Sequence, residues 1–472
     1  MTDDSLFRRI RDSFFSGSAL RRLKLWAVAG LSACPLQTAT ADQRPASSRL
    51  EISETWEVAK VPADFRVGFG LLTGPERQYV AYYDERRRMT VAARELDSDE
   101  WTYRTLPSKV GWDSHNYVTL ALDQAGHLHV SGNMHVDPLV YFRTATAGDI
   151  RTLETASMTG KLENRVTYPR FFEDADGRLV FTYRHGSSGN GINLYNRYNP
   201  ETKTWSRLLE EPLFDGEGER NAYPSGPVRG PDGWFHVRWV WRSTPDCATN
   251  HHLSYARSRN LIQWESAFGD AIELPIRFDH RELLVDPIPV GGGIINGGHR
   301  MHLDSEQRPV IAYHKADADG NMQLYLARPQ DGRWERHVVT DWQHPVPFSG
   351  TGSMSFIGIR IRKFDEIAPG VLGLGYRHRD YGSGMLPIDE RTLQPLAQPV
   401  EPVAAARELP RRLSEVQSEF PGMEVRRATD RGDAGHGRYM LRWESLGPNR
   451  DKARKPPHPS PSTLTVHKLE AR

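Results

Sequence analysis

Two histidines twenty positions apart are the side chains of this sequence best suited to chemistry. His115 stands in Gly111-Trp-Asp-Ser-His-Asn-Tyr-Val, and His135 in Val130-Ser-Gly-Asn-Met-His-Val-Asp-Pro. Imidazole has the unperturbed pKa nearest neutrality, so a pair at one surface can take and return protons. A lone histidine is commonly a buried hydrogen-bonding group. Here Asp113, Ser114, Asn116 and Asn133 crowd the pair, and such polar groups need partners or solvent. Asn116 and Asn133 are therefore candidate ligand contacts.

Two further clusters follow. In Tyr183-Arg184-His185-Gly-Ser-Ser-Gly-Asn190-Gly-Ile-Asn193-Leu-Tyr195-Asn-Arg197, the Gly/Ser/Asn loop lets backbone approach a ligand closely, with Asn190 at hand. Tyr183 is a candidate general acid, and Arg184 and Arg197 can each grip a carboxylate bidentately. The bland alternative is a turn with strand-face Arg and Tyr. The next cluster comprises Asn221-Ala-Tyr223-Pro-Ser-Gly, Arg238-Trp-Val-Trp-Arg242 and Pro245-Asp-Cys247-Ala-Thr-Asn250-His251-His252. Cys247 and His251 have the donor chemistry of zinc ligands, although Cys247 alone reads as a buried thiol.

The elements that must position these residues are short strands. Asp123-Gln-Ala-Gly126, Asp174-Ala-Asp-Gly177, Gly230-Pro-Asp-Gly233 and a weaker Asp304-Ser-Glu-Gln307 each precede a β-rich run, as expected of the first hairpin in a sheet. Trp205, Trp264 and Trp334 close the units, with Trp101 as an earlier counterpart. The spacings Gly126–Gly177 and Gly177–Gly233 are 51 and 56 residues. Four-stranded blades with long connections fit this period, so the repeats predict an all-β protein built as a β-propeller. A β-sandwich leaves the repeat unexplained. Ser258–Trp264 resembles a degenerate Asp-box. Helical periodicity is confined to 403–418, within a less regular connection over 403–436. Gly437–Glu444 reads as a strand that completes a sheet begun near the N-terminus, and 452–462 as an exposed connection.

Residues 1–41 read as an export signal: Arg21-Arg-Leu-Lys24, a short apolar core and Ala39-Thr-Ala41. This predicts a secreted or periplasmic protein with its catalytic domain over 42–472. Leu31-Ser-Ala-Cys34 also resembles a lipobox, which instead predicts an outer-membrane lipoprotein anchored at Cys34. Removing 1–41 changes the formal charge from +1 to −2 and leaves Cys247 as the sole cysteine. No internal disulfide can then form, so stability rests on the core. No basic block tracks nucleic-acid phosphates, and the chain reads as a monomer.

Taken in order, GWDSHNYV, HVSGNMHVDPLVYFR, VTYPRFF, YRHGSSGNG, NAYPSGP, WVWR and TNHHLSYARS resemble the BNR-repeat family of ulvan lyases and related rhamnosyl-glucuronate lyases. The resemblance extends from about residue 66 to the RWESLGPNRD segment. It implies a seven-bladed β-propeller and an enzyme cleaving the (1→4) bond between rhamnose and a uronic acid. By motif, His115 and His135 match the family's active-site histidines, Tyr183 its catalytic tyrosine and Arg197 its charge-neutralising arginine. Tyr223 would line the same site. Some members bind a structural metal, zinc or calcium, to which Cys247 and His251 could belong.

β-Elimination suits these residue types. The C5 proton of a uronate is poorly acidic while its carboxylate is charged, so the site must first neutralise that charge, as Arg197 would. His115 or Tyr183 then removes the proton, and Tyr183 can protonate the leaving oxygen. No metal is needed for this chemistry. A hydrolase would instead use two carboxyl groups flanking the bond, for which Asp113 and Asp137 are the candidates. A noncatalytic carbohydrate-binding propeller is the third expectation.

Overall fold

Each repeat turn is organised by one aspartate. In the computed structural model, which describes residues 50–400, 409–432, 435 and 437–471, Asp123 Oδ1 accepts from the backbone N–H groups of Ala125 and His127. Asp174 and Asp304 do the same two and four residues on. The carboxylate satisfies donors that the tight turn leaves outside the ladder. Gly126 completes its turn at φ +80°, whereas the weaker repeat places Gln307 there at +61°, a left-handed conformation costing an L-residue about 1–2 kcal/mol.

These hairpins open successive antiparallel sheets. Val118–Leu122 pairs with Leu128–Gly132, Val166–Glu173 with Leu179–Ser187, Asn221–Arg229 with Phe235–Arg242, and Arg300–Leu303 with Pro309–Ala316. Among the described residues there are seven sheets of three to six strands. The Trp closures fall on or beside outer strands: Trp205 in Thr204–Arg207, Trp264 in Trp264–Glu265, Trp334 in Arg333–Val338 and Trp101 just before Thr102–Lys109. Two of the rings bridge neighbouring sheets: Trp205 packs on Tyr141, and Trp334 on Tyr255. The Asp-box-like turn is structural: Asn260 Oδ1 accepts from Ile262 and Gln263, and the Trp264 indole donates to the Leu261 carbonyl.

One sheet joins both ends of the described chain. Leu50–Val61 pairs with Ser462–Ala471, which pairs with Arg438–Leu446 and then Met423–Thr429. The expected strand at 437–444 is therefore present, and most of 452–461 is exposed and irregular. Over 409–418, the described part of the stretch with helical periodicity, a longer helix is not formed. Of the described part, only Arg411–Leu413 turns, as a 3-10 helix, after which the chain leaves to form Met423–Thr429. Leu413 is its single buried side chain, too small an apolar face to hold a longer helix. Residues 1–41, including Cys34, and 401–408 lie outside the described residues.

Leu464 is fully buried beside Trp56, Val58 and Tyr439. Leu464→Ala should cost about 2–5 kcal/mol, read as a lower denaturant midpoint. A change below 1 kcal/mol would show that the end-joining sheet contributes little.

Candidate active site

The site begins with one carboxylate held by a loop. Asp113 lies between the strands Thr102–Lys109 and Val118–Leu122, and its Oδ1 accepts from the His115 backbone N–H at 2.8 Å. The same oxygen is 2.8 Å from His115 Nδ1, and Oδ2 is 2.5 Å from His135 Nδ1. One aspartate thus orients two imidazoles, whose ring centroids are 4.3 Å apart. Each histidine side chain keeps 22% of its surface exposed, and with Nδ1 engaged, Nε2 is the nitrogen left for chemistry.

His135 is delivered by strained backbone. Asn133 and Val136 have φ of +62° and +70°. The His135 N–H donates to Asp137 and the Val136 N–H to Thr167. Opposite, the ladder between Val166–Glu173 and Leu179–Ser187 slips between Thr167 and Arg170. This bulge turns Tyr168 to φ +60° and brings its ring within 5.9 Å of His115 and 6.4 Å of His135. Bulges that re-aim a side chain in this way are common beside functional sites.

A second carboxylate comes from far along the chain. Asp451 lies 3.3 Å from His115 Nδ1. It accepts from the backbone N–H groups of Ser114 and Ser353 and from both serine hydroxyls. Burial opposes charge on His115, but the hydrogen bonds to Asp113 and Asp451 outweigh it and raise its pKa to about 9. Burial likewise pushes the two carboxyls up. The hydrogen bonds from His115 and His135 overcome this and hold Asp113 well below the usual range, and those from His115 and Ser353 hold Asp451 at about 2. Burial raises the Tyr168 hydroxyl above its ordinary value.

The histidines open on a cleft of about 430 Å³, lined also by Tyr168, Ser188, Tyr223, Arg242, Asn296, Arg300, His314, Ser353 and Arg360. No Asp or Glu is among its lining residues. The Tyr223 hydroxyl meets Ser188 Oγ at 2.7 Å, and the Arg242 guanidinium lies 5.4 Å from the Tyr223 ring. The surface suits an anion and offers it proton donors and acceptors.

Residues 77–342, more than half the chain, match the model of the BNR repeat-containing family. The chain belongs to that family. An ulvan lyase, short isoform, from Alteromonas sp. (strain LOR) is 32% identical over 134 residues, 25% of each chain. An ulvan lyase, long isoform, from Glaciecola sp. (strain KUL10) is 39% identical over 70 residues, 14% of this chain and 7% of the relative. The matches thus span a quarter or less of these curated relatives. The solved polysaccharide lyase Uly1 superposes over 89% of this chain and all of its own, with a TM-score of 0.56 and 14% identity. The PL25 ulvan lyase bound to -[GlcA(1-4)Rha3S]- covers 86% of this chain and 94% of its own, with a TM-score of 0.53 and 12% identity. At such identities the likeness is one of fold.

Within this BNR-repeat fold, the sequence-derived candidates separate. His115, His135 and Tyr223 line this cleft; Tyr183 lines an adjoining cavity that shares His115, Tyr168 and Tyr223 with it, and Arg197 lines neither. Side chains alternate along Leu179–Ser187, so Tyr183 faces the core with Phe181, its hydroxyl bonded by Arg207 at 3.0 Å. Arg197 pairs with Val180 and Ser206, four residues along its strand from Asn193, which faces Arg184. At ~3.3 Å per residue this is about 13 Å away. Arg184 is buried under Tyr168 and Tyr223, 4.9 and 5.9 Å from their rings. Asn116 and Asn133 bond each other, and Asn133 also pins Ser108 and Lys109, so both brace the histidine loop. Asn190 is exposed at a hairpin end, and Ser188 reaches the cleft from the same loop.

The metal expectation finds no matching geometry. His251 bonds Ser243 and His252, Cys247 lines the cleft, and no metal-sized cluster among the described residues contains either. Among the described residues, the one such group is Asp113, His115 and His135. Its two carboxylate oxygens each face an imidazole Nδ1.

Tyr168, Asp451 and Arg242 escaped notice as site residues. Proline inside a strand marks a bulge or edge, and both Tyr168-Pro169 and Tyr223-Pro224 lie in strands beside register shifts. That signal could have found Tyr168. Asp451 carries none, because its partner Ser114 is 337 residues away.

Asp113→Asn should return the His115 pKa from about 9 toward 6.5, measured by NMR titration of its ring. In the parent protein, this raised pKa contributes stability that is fully present below pH 6.5 and lost as pH rises through 9. Denaturant midpoints should fall over that window and fall less in Asp113→Asn. An unshifted titration would contradict the role given to Asp113.

Proposed function

We propose that the seven sheets are the blades of a seven-bladed β-propeller, and that the chain is a polysaccharide lyase. It cleaves the rhamnose-(1→4)-uronate linkage of an ulvan-type glycan by β-elimination. The observation that carries this reading is a pair of imidazoles on one carboxylate, facing a cleft lined by arginines and by no acid. The ulvan lyase relatives and the shared fold support it. An extracellular or periplasmic address, through processing near Ala39-Thr-Ala41, belongs to the same proposal.

In this mechanism Arg242 and the charged His115 neutralise the uronate carboxylate, which acidifies the C5 proton. His135 accepts that proton at Nε2. The C5–H electrons form the C4–C5 double bond as the C4–O4 bond breaks, and Tyr168 donates its proton to O4. A phenol whose ionisation is suppressed by burial serves as the acid rather than the base. These roles replace those first given to Tyr183 and Arg197. Hydrolysis by Asp113 and Asp137 lacks support, since Asp113 is fully engaged by both histidines and neither carboxylate lines the cleft.

The test is ultraviolet absorbance of the C4–C5 unsaturated uronate on incubation with ulvan and with a rhamnosyl-glucuronate arabinogalactan. His135→Ala and Tyr168→Phe should each lose about 10²–10⁴-fold in rate, while Tyr183→Phe should remain active. Release of saturated sugar would replace the lyase with a hydrolase. Binding without turnover would leave a carbohydrate-binding propeller.

The rate should also fall as pH rises through about 9, where His115 loses its proton. Asp113→Asn should move that alkaline limb to lower pH. A limb that stays in place would remove charged His115 from the mechanism.

A further inference from the structure

Many arginines elsewhere in the molecule meet carboxylates, among them Arg77 with Glu95, Arg87 with Asp64, Arg308 with Asp304 and Arg442 with Glu444, and others, such as Arg143 and Arg170, bond backbone carbonyls. Arg238, Arg300 and Arg360 have no carboxylate partner among the described residues. Arg300–Leu303 and Ile359–Ala368 are first strands of consecutive sheets and pack on one another. Arg300 opens its strand, Arg360 is second in its own, and both line the cleft that holds the histidines.

Arg238 stands behind them. Its Nη2 reaches the His299 carbonyl at 3.5 Å, the acceptor that Arg300 already uses at 2.9 Å, and its Nε is shielded without an acceptor. His299 is fully buried with both ring nitrogens unpartnered. Burial first, then Arg238 and Arg300, hold that ring neutral, well below its ordinary pKa, so it adds no charge of its own. Glu424, whose charge reaches Arg360, is already ion-paired with Arg426 at 3.0 Å. Unmatched cations gathered in a partly desolvated wall cost stability and draw an anion from outside.

The cleft thus has two basic poles, Arg242 beside Tyr223 and the Arg300–Arg360 wall. Resting on the lyase reading, in which the first pole takes the scissile uronate, we infer that the second, backed by Arg238, binds another oxyanion of the same glycan chain. That oxyanion is a sulfate ester or the carboxylate of a neighbouring sugar. The wall makes the protein selective for chains that carry charge on more than one residue.

The experiment is affinity electrophoresis of the His135→Ala protein, which holds glycan without cleaving it, in gels containing native ulvan or chemically desulfated ulvan. Arg300→Gln with Arg360→Gln should weaken binding of native ulvan about ten- to hundred-fold, the worth of charge-assisted hydrogen bonds. Arg300→Lys with Arg360→Lys should recover part of it. Arg151→Gln, at an exposed pair with Asp149, should change nothing, and equal unfolding temperatures exclude misfolding. If the occupant is a sulfate ester, the double Gln variant loses affinity only for native ulvan; if a carboxylate, it loses affinity for both glycans. Unchanged affinity for native ulvan, or no ulvan binding at all, overturns the inference. Arginine-dependent binding by a parent protein that yields no unsaturated product would instead retain the subsite and remove the lyase.

Discussion

The arrangement turns on a single carboxylate that must be in two places. Asp113 supplies one oxygen to each of two imidazoles, and that sharing fixes their separation, orientation and free nitrogens together. It also makes them unequal. His115 meets a second acid in Asp451 and His135 does not, which favours the charged form of His115. Two chemically identical side chains thus acquire different electrostatic surroundings from their neighbours alone.

Much of the scaffold exists to hold that carboxylate and its surroundings. Asn116 and Asn133 lock the loop on one side. On the other, Asp451 ties Ser114 to Ser353, and Gly350, three residues earlier, accepts from Cys247 and donates to Asp246. The cleft floor is therefore assembled from segments that are remote in sequence. Left-handed backbone at Asn133, Val136, Tyr168 and Asp451 concentrates strain where side chains must be aimed, and the regular ladders around them absorb it.

The all-β character was legible because its signals are local. An aspartate two residues before an N–H that needs an acceptor, a residue able to turn left-handed, and a tryptophan on an outer strand recur, and each marks an element that is present. The histidine pair was legible for the same reason. What escaped required knowledge of facing. Tyr183 and Arg184 are adjacent and so point to opposite faces of one strand, and no local pattern says which face meets the cleft. The bulge at Tyr168 changes that parity once more. Over 409–418 the helical periodicity misled because its 3-10 turn buries only Leu413.

Asp451 lies only eleven residues before Ser462–Ala471, the strand that reaches back to Leu50–Val61. A ribosome making this chain releases the two histidines more than three hundred residues before the acid that sets their charge balance. The nascent protein therefore carries its imidazoles without their final electrostatics, and the pair is tuned by the same stretch of chain that fastens first strand to last. Pairing of that last described strand and placement of Asp451 beside His115 are thereby coupled.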